Sequence, residues 1–149
     1  MKIDFFVSFE NGLPRATAQM KGESIVYRRL KGSGRVVPTI SHYRKSNVQA
    51  LRNELIYKMK QHKPEKPSDK PIRLEVYLYF DIKRPKKLWG KYKTTKPDCD
   101  NYVKEIKDVM TECGFWIDDN QVVDLHVVKY FAEKGTIYIR MEELEDEHT

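Results

Sequence analysis

Ile72, Leu74, Val76, Leu78, Phe80 and Ile82 alternate with Arg73, Glu75, Tyr77, Tyr79 and Asp81. A period of two sends successive side chains to opposite faces, so this run predicts a long strand with one buried face. Residues 2–9, KIDFFVSF, read as another strand, stopped by Asn11-Gly12 and Pro14. Residues 16–20 and 24–30 predict short extended segments, and KGSGR at 31–35 predicts a basic, hairpin-like tip. Helical spacing takes over at Val48, Leu51, Leu55, Ile56 and Met59, and Ser46 with Gln49 three residues later forms a capping box. A first helix is therefore expected over about 46–62, followed by a loop at 63–71 with three prolines and no apolar residue. A second is expected over about 101–113, with Val103, Ile106, Val109, Met110 and Cys113 inward and Gly114 as its left-handed cap. Val122, Val123, Leu125, Val127 and Val128 predict a strand, and a turn at 133–135 leads to a last strand at 136–141. Strands and two helices without regular strand–helix–strand alternation predict an α+β fold, a single domain over 1–149 with a mixed, mostly antiparallel sheet.

Charge changes the picture in one place. The chain carries +6 overall, yet residues 83–97 alone hold Lys83, Arg84, Lys86, Lys87, Lys91, Lys93 and Lys96 with no acid. Gly90 and two prolines break regular structure there, which predicts a mobile basic loop facing a phosphate-bearing partner. Lys86, Lys87, Lys91, Lys93 and Lys96 are its candidate nucleic-acid contacts. Trp89 and Tyr92 lie among them, suited either to stacking on unpaired bases or to anchoring the loop. Phe115 and Trp116, just past the helix cap, fit core packing. Two cysteines, Cys99 and Cys113, are too few for a disulfide framework, and the four histidines have no ligand spacing. With no apolar run of about 20 residues for a membrane span, the expected setting is a reducing cytoplasm.

The acids around the second helix admit two readings. Asp98 and Asp100 stand where carboxylates cap helices, and Asp118, Asp119 and Asn120 stand where Asx turns are routine. Against that, Asp100, Lys104 and Asp108 form one polar stripe, and the whole group follows directly on the basic loop. Magnesium binds through one or two carboxylates with water and substrate phosphate, so such acids beside a phosphate-attracting loop form a coherent site. Whether Asp119 returns to Asp98 and Asp100 depends on how the next strand crosses. Lys104 is either a surface partner of Asp100 or a cation placed on a reacting phosphate.

The run KPDCDNYVKEIKDVMTECGFWIDDNQVVDLHVVK resembles the core motif of the RusA family of Holliday-junction resolvases: Asp-x-Asp-Asn, a Lys four residues after the second Asp, and Asp-Asp-x-Gln-Val-Val beyond a helix. About 35 residues match closely; the upstream elements agree in order and character. The resemblance implies a RusA-like fold and a magnesium-dependent endodeoxyribonuclease, with manganese able to substitute. It implies a homodimer that cuts branched DNA such as a four-way junction, in a family often carried by prophages. By position it makes Asp98, Asp100 and Asp119 metal ligands and Lys104 the essential lysine, with Asn101 and Asp118 in orienting roles. Where some members have arginine directly before the first aspartate, this chain has Pro97 preceded by Lys96. A junction- or single-strand-binding module without turnover is the competing expectation, and an RNA-processing nuclease a third.

Overall fold

The computed structural model describes residues 1–15, 21–44 and 46–146. Its strands are β1 (Lys2–Phe9), β2 (Lys21–Arg29), β3 (Val36–Arg44), β4 (Ile72–Asp81), β5 (Val122–Ala132) and β6 (Gly135–Glu143). The helices are α1 (Ser46–Met59) and α2 (Cys99–Cys113), with short 3-10 turns at Lys60–His62, Lys86–Leu88 and Asp119–Gln121. The strand expected over residues 16–20 and the side-chain cap expected of Ser46 lie outside what the structure describes.

Four strands form one mixed sheet in the order β1-β6-β4-β5, and β2 with β3 makes a separate antiparallel hairpin. β4 runs antiparallel to β6 and parallel to β5. Its alternating pattern does what the sequence demands: Ile72, Leu74, Val76, Leu78 and Phe80 are wholly buried while the intervening side chains reach the other face. Each such side chain taken fully out of water is worth about 1.5–3 kcal/mol. Leu51, Leu55 and Met59 of α1 and Val103, Ile106, Val109 and Met110 of α2 join these strand residues in one core. Both helices thus cover one face of the sheet and leave the other bare.

Two connections depart from the pattern read in the sequence. β4, α2 and β5 form a single parallel crossover, so α2 runs back against the two strands. Its first turn therefore lies by the C-terminal ends of β4 and β5, and its last turn by their beginnings. At that second end Ser68 N donates to Phe115 O and Ile117 N to Ser68 O, 3.1 and 3.2 Å. The turn after β5 closes no hairpin, because β4 lies between β5 and β6. The chain passes over the end of β4 instead, where Asp81 Oδ1 accepts from Leu13 N at 2.7 Å. A Cβ at Gly135 would stand 2.3 Å from Leu13 N, so only glycine fits that passage.

The basic segment is more structured than its glycine and prolines suggest. Gly90 N donates to Phe131 O, Phe131 N to Lys91 O and Lys93 N to Lys129 O, at 2.7–3.0 Å. This short run pairs along the outer edge of β5 and covers groups an edge strand would leave open. Gly114 closes α2 at φ 91°, its N–H donating to Met110 O and Thr111 O.

Candidate active site

Asp98 occupies the N-cap position of α2 with extended backbone, φ −70° and ψ 145°, but its side chain caps nothing. Its carbonyl accepts from Tyr102 N at 3.1 Å while the carboxylate stays exposed. Asp100 follows in the first turn, also exposed. Two free carboxylates thus sit side by side at the positive end of a fifteen-residue helix, where the dipole favours them. Lys104 is exposed one turn on, and no ion pair joins it to Asp100 or Asp108 among the described residues. The surface-pair reading of Lys104 is therefore not realised. Asn101, next in the chain, is half-buried.

The second acidic pair divides in two. Asp118 accepts from Asn120 N at 3.0 Å, and its own N–H donates to Gln121 Oε1 at 2.8 Å, a reciprocal cap on the turn Asp119–Gln121. Gln121 Nε2 donates to Ser68 O and Lys70 O, fastening that turn to the body. Asp119 projects from it half-exposed, its carboxylate with no hydrogen bond or ion pair among the described residues. It stands at the opposite end of α2 from Asp98 and Asp100. A fifteen-residue helix is about 22 Å long, so the three carboxylates do not meet within one protomer. Accordingly, no three His, Cys, Asp or Glu side chains among the described residues are grouped to hold a metal. Asp98 with Asp100 still fits the one or two carboxylates that magnesium takes alongside water and phosphate.

The candidate DNA contacts also separate. Lys86, Lys87, Lys91 and Lys96 are exposed, but Lys93 is only 8% exposed. The antiparallel pairing with β5 turns Lys93 inward, where its ammonium bonds Thr95 Oγ1 and lies over the rings of Phe80 and Phe131. Burial, then the charges of Arg15 and Lys129, pull it below its ordinary 10.5. Trp89 donates Nε1 to Ile82 O at 2.7 Å and anchors the segment. Tyr92 stacks on Tyr130 yet stays 71% exposed.

One residue that the pattern along the chain did not single out completes this end. Lys129 of β5 donates to Thr95 O at 2.7 Å and Pro97 O at 2.8 Å, gripping the main chain just before Asp98. Its signal in the sequence is a lysine on the apolar side of a strand, in register with Leu78. Glu105 is a second such residue, buried on the inner face of α2 and paired with Arg52 of α1 at 3.3 Å.

Residues 27–142 match the family model described as Endodeoxyribonuclease RusA. This chain belongs to the RusA endodeoxyribonuclease family. A relative from Lactococcus phage r1t, named Crossover junction endodeoxyribonuclease rusA, is 33% identical over 97% of this chain and 100% of its own length. The Crossover junction endodeoxyribonuclease RusA of Escherichia coli (strain K12) is 53% identical over 65 residues, 44% of this chain and 45% of that one. Protein YqaN of Bacillus subtilis (strain 168) is 32% identical over 83% of this chain and 92% of its own. RusA membership places the free carboxylates of Asp98 and Asp100 and the unpaired Lys104 in a nuclease. No helix among the described residues is long and apolar enough to cross a membrane.

Proposed function

We propose that this RusA-family chain is a magnesium-dependent endodeoxyribonuclease that resolves four-way DNA junctions in the cytoplasm as a two-fold homodimer. The observation that carries the reading is the pair of unpartnered carboxylates, Asp98 and Asp100, at the positive end of α2 with Lys104 unpaired one turn away. Asp98 and Asp100 hold the metal. When bound, it supplies Lewis acidity toward the phosphodiester and makes an attacking water more acidic. Lys104 offsets the negative charge that builds on the phosphoryl oxygens as the water oxygen bonds phosphorus and the strand's P–O bond breaks. Exposed Lys86, Lys87, Lys91 and Lys96 attract the phosphate backbone without reading bases.

Asp119 enters the site from the second protomer. In an isologous pair the same patch serves both subunits, so two α2 helices lying antiparallel bring the beginning of one beside the end of the other. Each of two sites then holds Asp98, Asp100 and Lys104 of one protomer with the partner's Asp119. A four-way junction offers two equivalent strands to such a pair. The Lys129 grip fixes the direction in which the chain enters each site.

The test mixes two inactive variants. Asp100→Asn and Asp119→Asn homodimers should bind a synthetic junction and fail to cut it with magnesium. Mixed dimers of the two chains should regain nicking, since one of their two sites keeps all its acids. Failure of wild type to cut with magnesium sinks the nuclease reading; mixed dimers that stay inactive while still forming sink the shared site.

A further inference from the structure

The bare face of the sheet carries two rows of aromatic rings, and they differ in charge. In one, Phe6 stacks on Tyr138, Tyr138 on Tyr77, and Tyr77 meets His126 edge-on. This row lies among self-paired charges, Arg73 with Asp124 at 2.8 Å and Arg140 with Glu75 at 3.4 Å, and its Tyr138 hydroxyl donates to Asp4 at 2.9 Å. In the other, Tyr79, Tyr130 and Tyr92 stack successively, centroids 5.4 Å apart at each step and planes within 15° and 22°. Its last ring belongs to the acid-free segment 83–97, where Lys83, Arg84, Lys86, Lys87, Lys91 and Lys96 make no ion pair among the described residues.

We propose that the open face of Tyr92 is a stacking site for one unpaired nucleobase of the strand opened at the junction's branch point. The proposal rests on the nuclease reading but concerns recognition, not the cut. Three observations carry it together. The ring is held in place, because its own main chain pairs with Tyr130 and the flanking Gly90 and Lys93 bond to β5. One face rests on Tyr130, and the ring remains 71% exposed. The surrounding charge is positive and uncompensated, which suits the phosphates on either side of a base and opposes burial against a second basic copy of the chain. The anchoring role that an aromatic in this segment could have served falls to Trp89 instead.

Stacking on an aromatic ring requires a base with an exposed π-face, which duplex DNA hides and a branch point or gap supplies. Tyr92 would therefore add selectivity for opened structure on top of the phosphate contacts, with little preference among bases. Tyr92 stands six positions before Asp98 in the chain, which limits their separation to about 21 Å.

The experiment uses the full chain in chelator, so that cutting plays no part. A junction carrying 2-aminopurine at the branch and a fully paired duplex of equal length are titrated with wild type, Tyr92→Phe and Tyr92→Ala. Wild type and Tyr92→Phe should quench the 2-aminopurine signal. Tyr92→Ala should lose the quenching and bind the junction about tenfold more weakly, within the range of base–aromatic stacking, while duplex binding changes less than twofold. Equal loss on junction and duplex overturns the proposal, as does unchanged quenching in Tyr92→Ala. Dissociation of the dimer in Tyr92→Ala at unaltered melting temperature also overturns it and makes the face a contact between copies. Failure of wild type to cut in magnesium would strike the nuclease reading alone.

Discussion

Replacing Lys129 with methionine removes one ammonium and keeps the aliphatic stem. The ammonium donates to Thr95 O and Pro97 O at 2.7 and 2.8 Å, the first bond exposed and the second part-buried. A hydrogen bond from a charged donor contributes about 1.5–3 kcal/mol when well shielded. Solvent competes for these two, so a joint contribution of about 2 kcal/mol is the expectation. The loss falls on residues 95–97, because both bonds end on the main chain there. Were it all global, the melting temperature of a chain this size would drop by roughly 4–8 °C; local loosening should cost less. Function is more sensitive. A displacement of about 1 Å in a positioned catalytic group can lower a rate on the order of 100-fold. Junction cleavage should thus fall about 10- to 100-fold in Lys129→Met and need more magnesium to saturate, with junction affinity in chelator within twofold of wild type. Lys129→Arg, which retains two or more donors, should recover much of the rate. Cleavage at the wild-type rate and metal requirement in Lys129→Met would refute the reasoning. So would a rate loss matched by lost affinity in chelator, since Lys129 would then be a phosphate contact.

Gly135→Ala should lower stability by more than about 2 kcal/mol in urea titration, because its Cβ would press the backbone nitrogen of Leu13. Leu55→Ala, at a wholly buried core position, should cost about 2–5 kcal/mol by the same measurement. The Glu143 carboxyl is held below its ordinary 4.5 by the Ser68 hydroxyl first and then by the N-terminal ammonium. A depressed carboxylate stabilises the fold above its unfolded pKa, and this is lost as pH falls through the folded value. Glu143→Gln should therefore narrow the stability gap from wild type as pH drops below 4.5, which thermal melts across pH 2–6 will check. Asp118→Ala should weaken cleavage less than Asp119→Ala, since Asp118 caps the turn that presents its neighbour.

Elements were readable from the sequence because each depends on local periodicity: β4 and the buried stripe of α2 follow from spacing alone, as does the glycine that ends the helix. What spacing could not supply was the pairing of elements distant in sequence. That β5 lies parallel to β4, with β6 on the other side, follows from how whole faces are covered, and it decides where the acids go. The parallel crossover sends Asp119 to the far end of α2 from Asp98 and Asp100. Lys93 was misleading for a related reason: inside a basic run it looks like its neighbours, and only the pairing with β5 turns it inward. Lys129 was obscured because its partners are backbone carbonyls, which leave no mark in side-chain identity. Asp98 was ambiguous in sequence, standing where caps stand, and its uncommitted carboxylate is visible only in the geometry of the helix mouth.

Helix α2 also acts as a ruler. Its fifteen residues set the span between the two acidic ends of the chain, and in the proposed two-fold pair the same span would set the distance between the two sites. Length and rotation are coupled in a helix: one added residue advances the end by about 1.5 Å and swings it by about 100°. Single insertions would turn Asp119 away, whereas a whole added turn would keep its facing and move the cuts apart by about 5.4 Å. The distance between incisions would then be stored in the length of one helix.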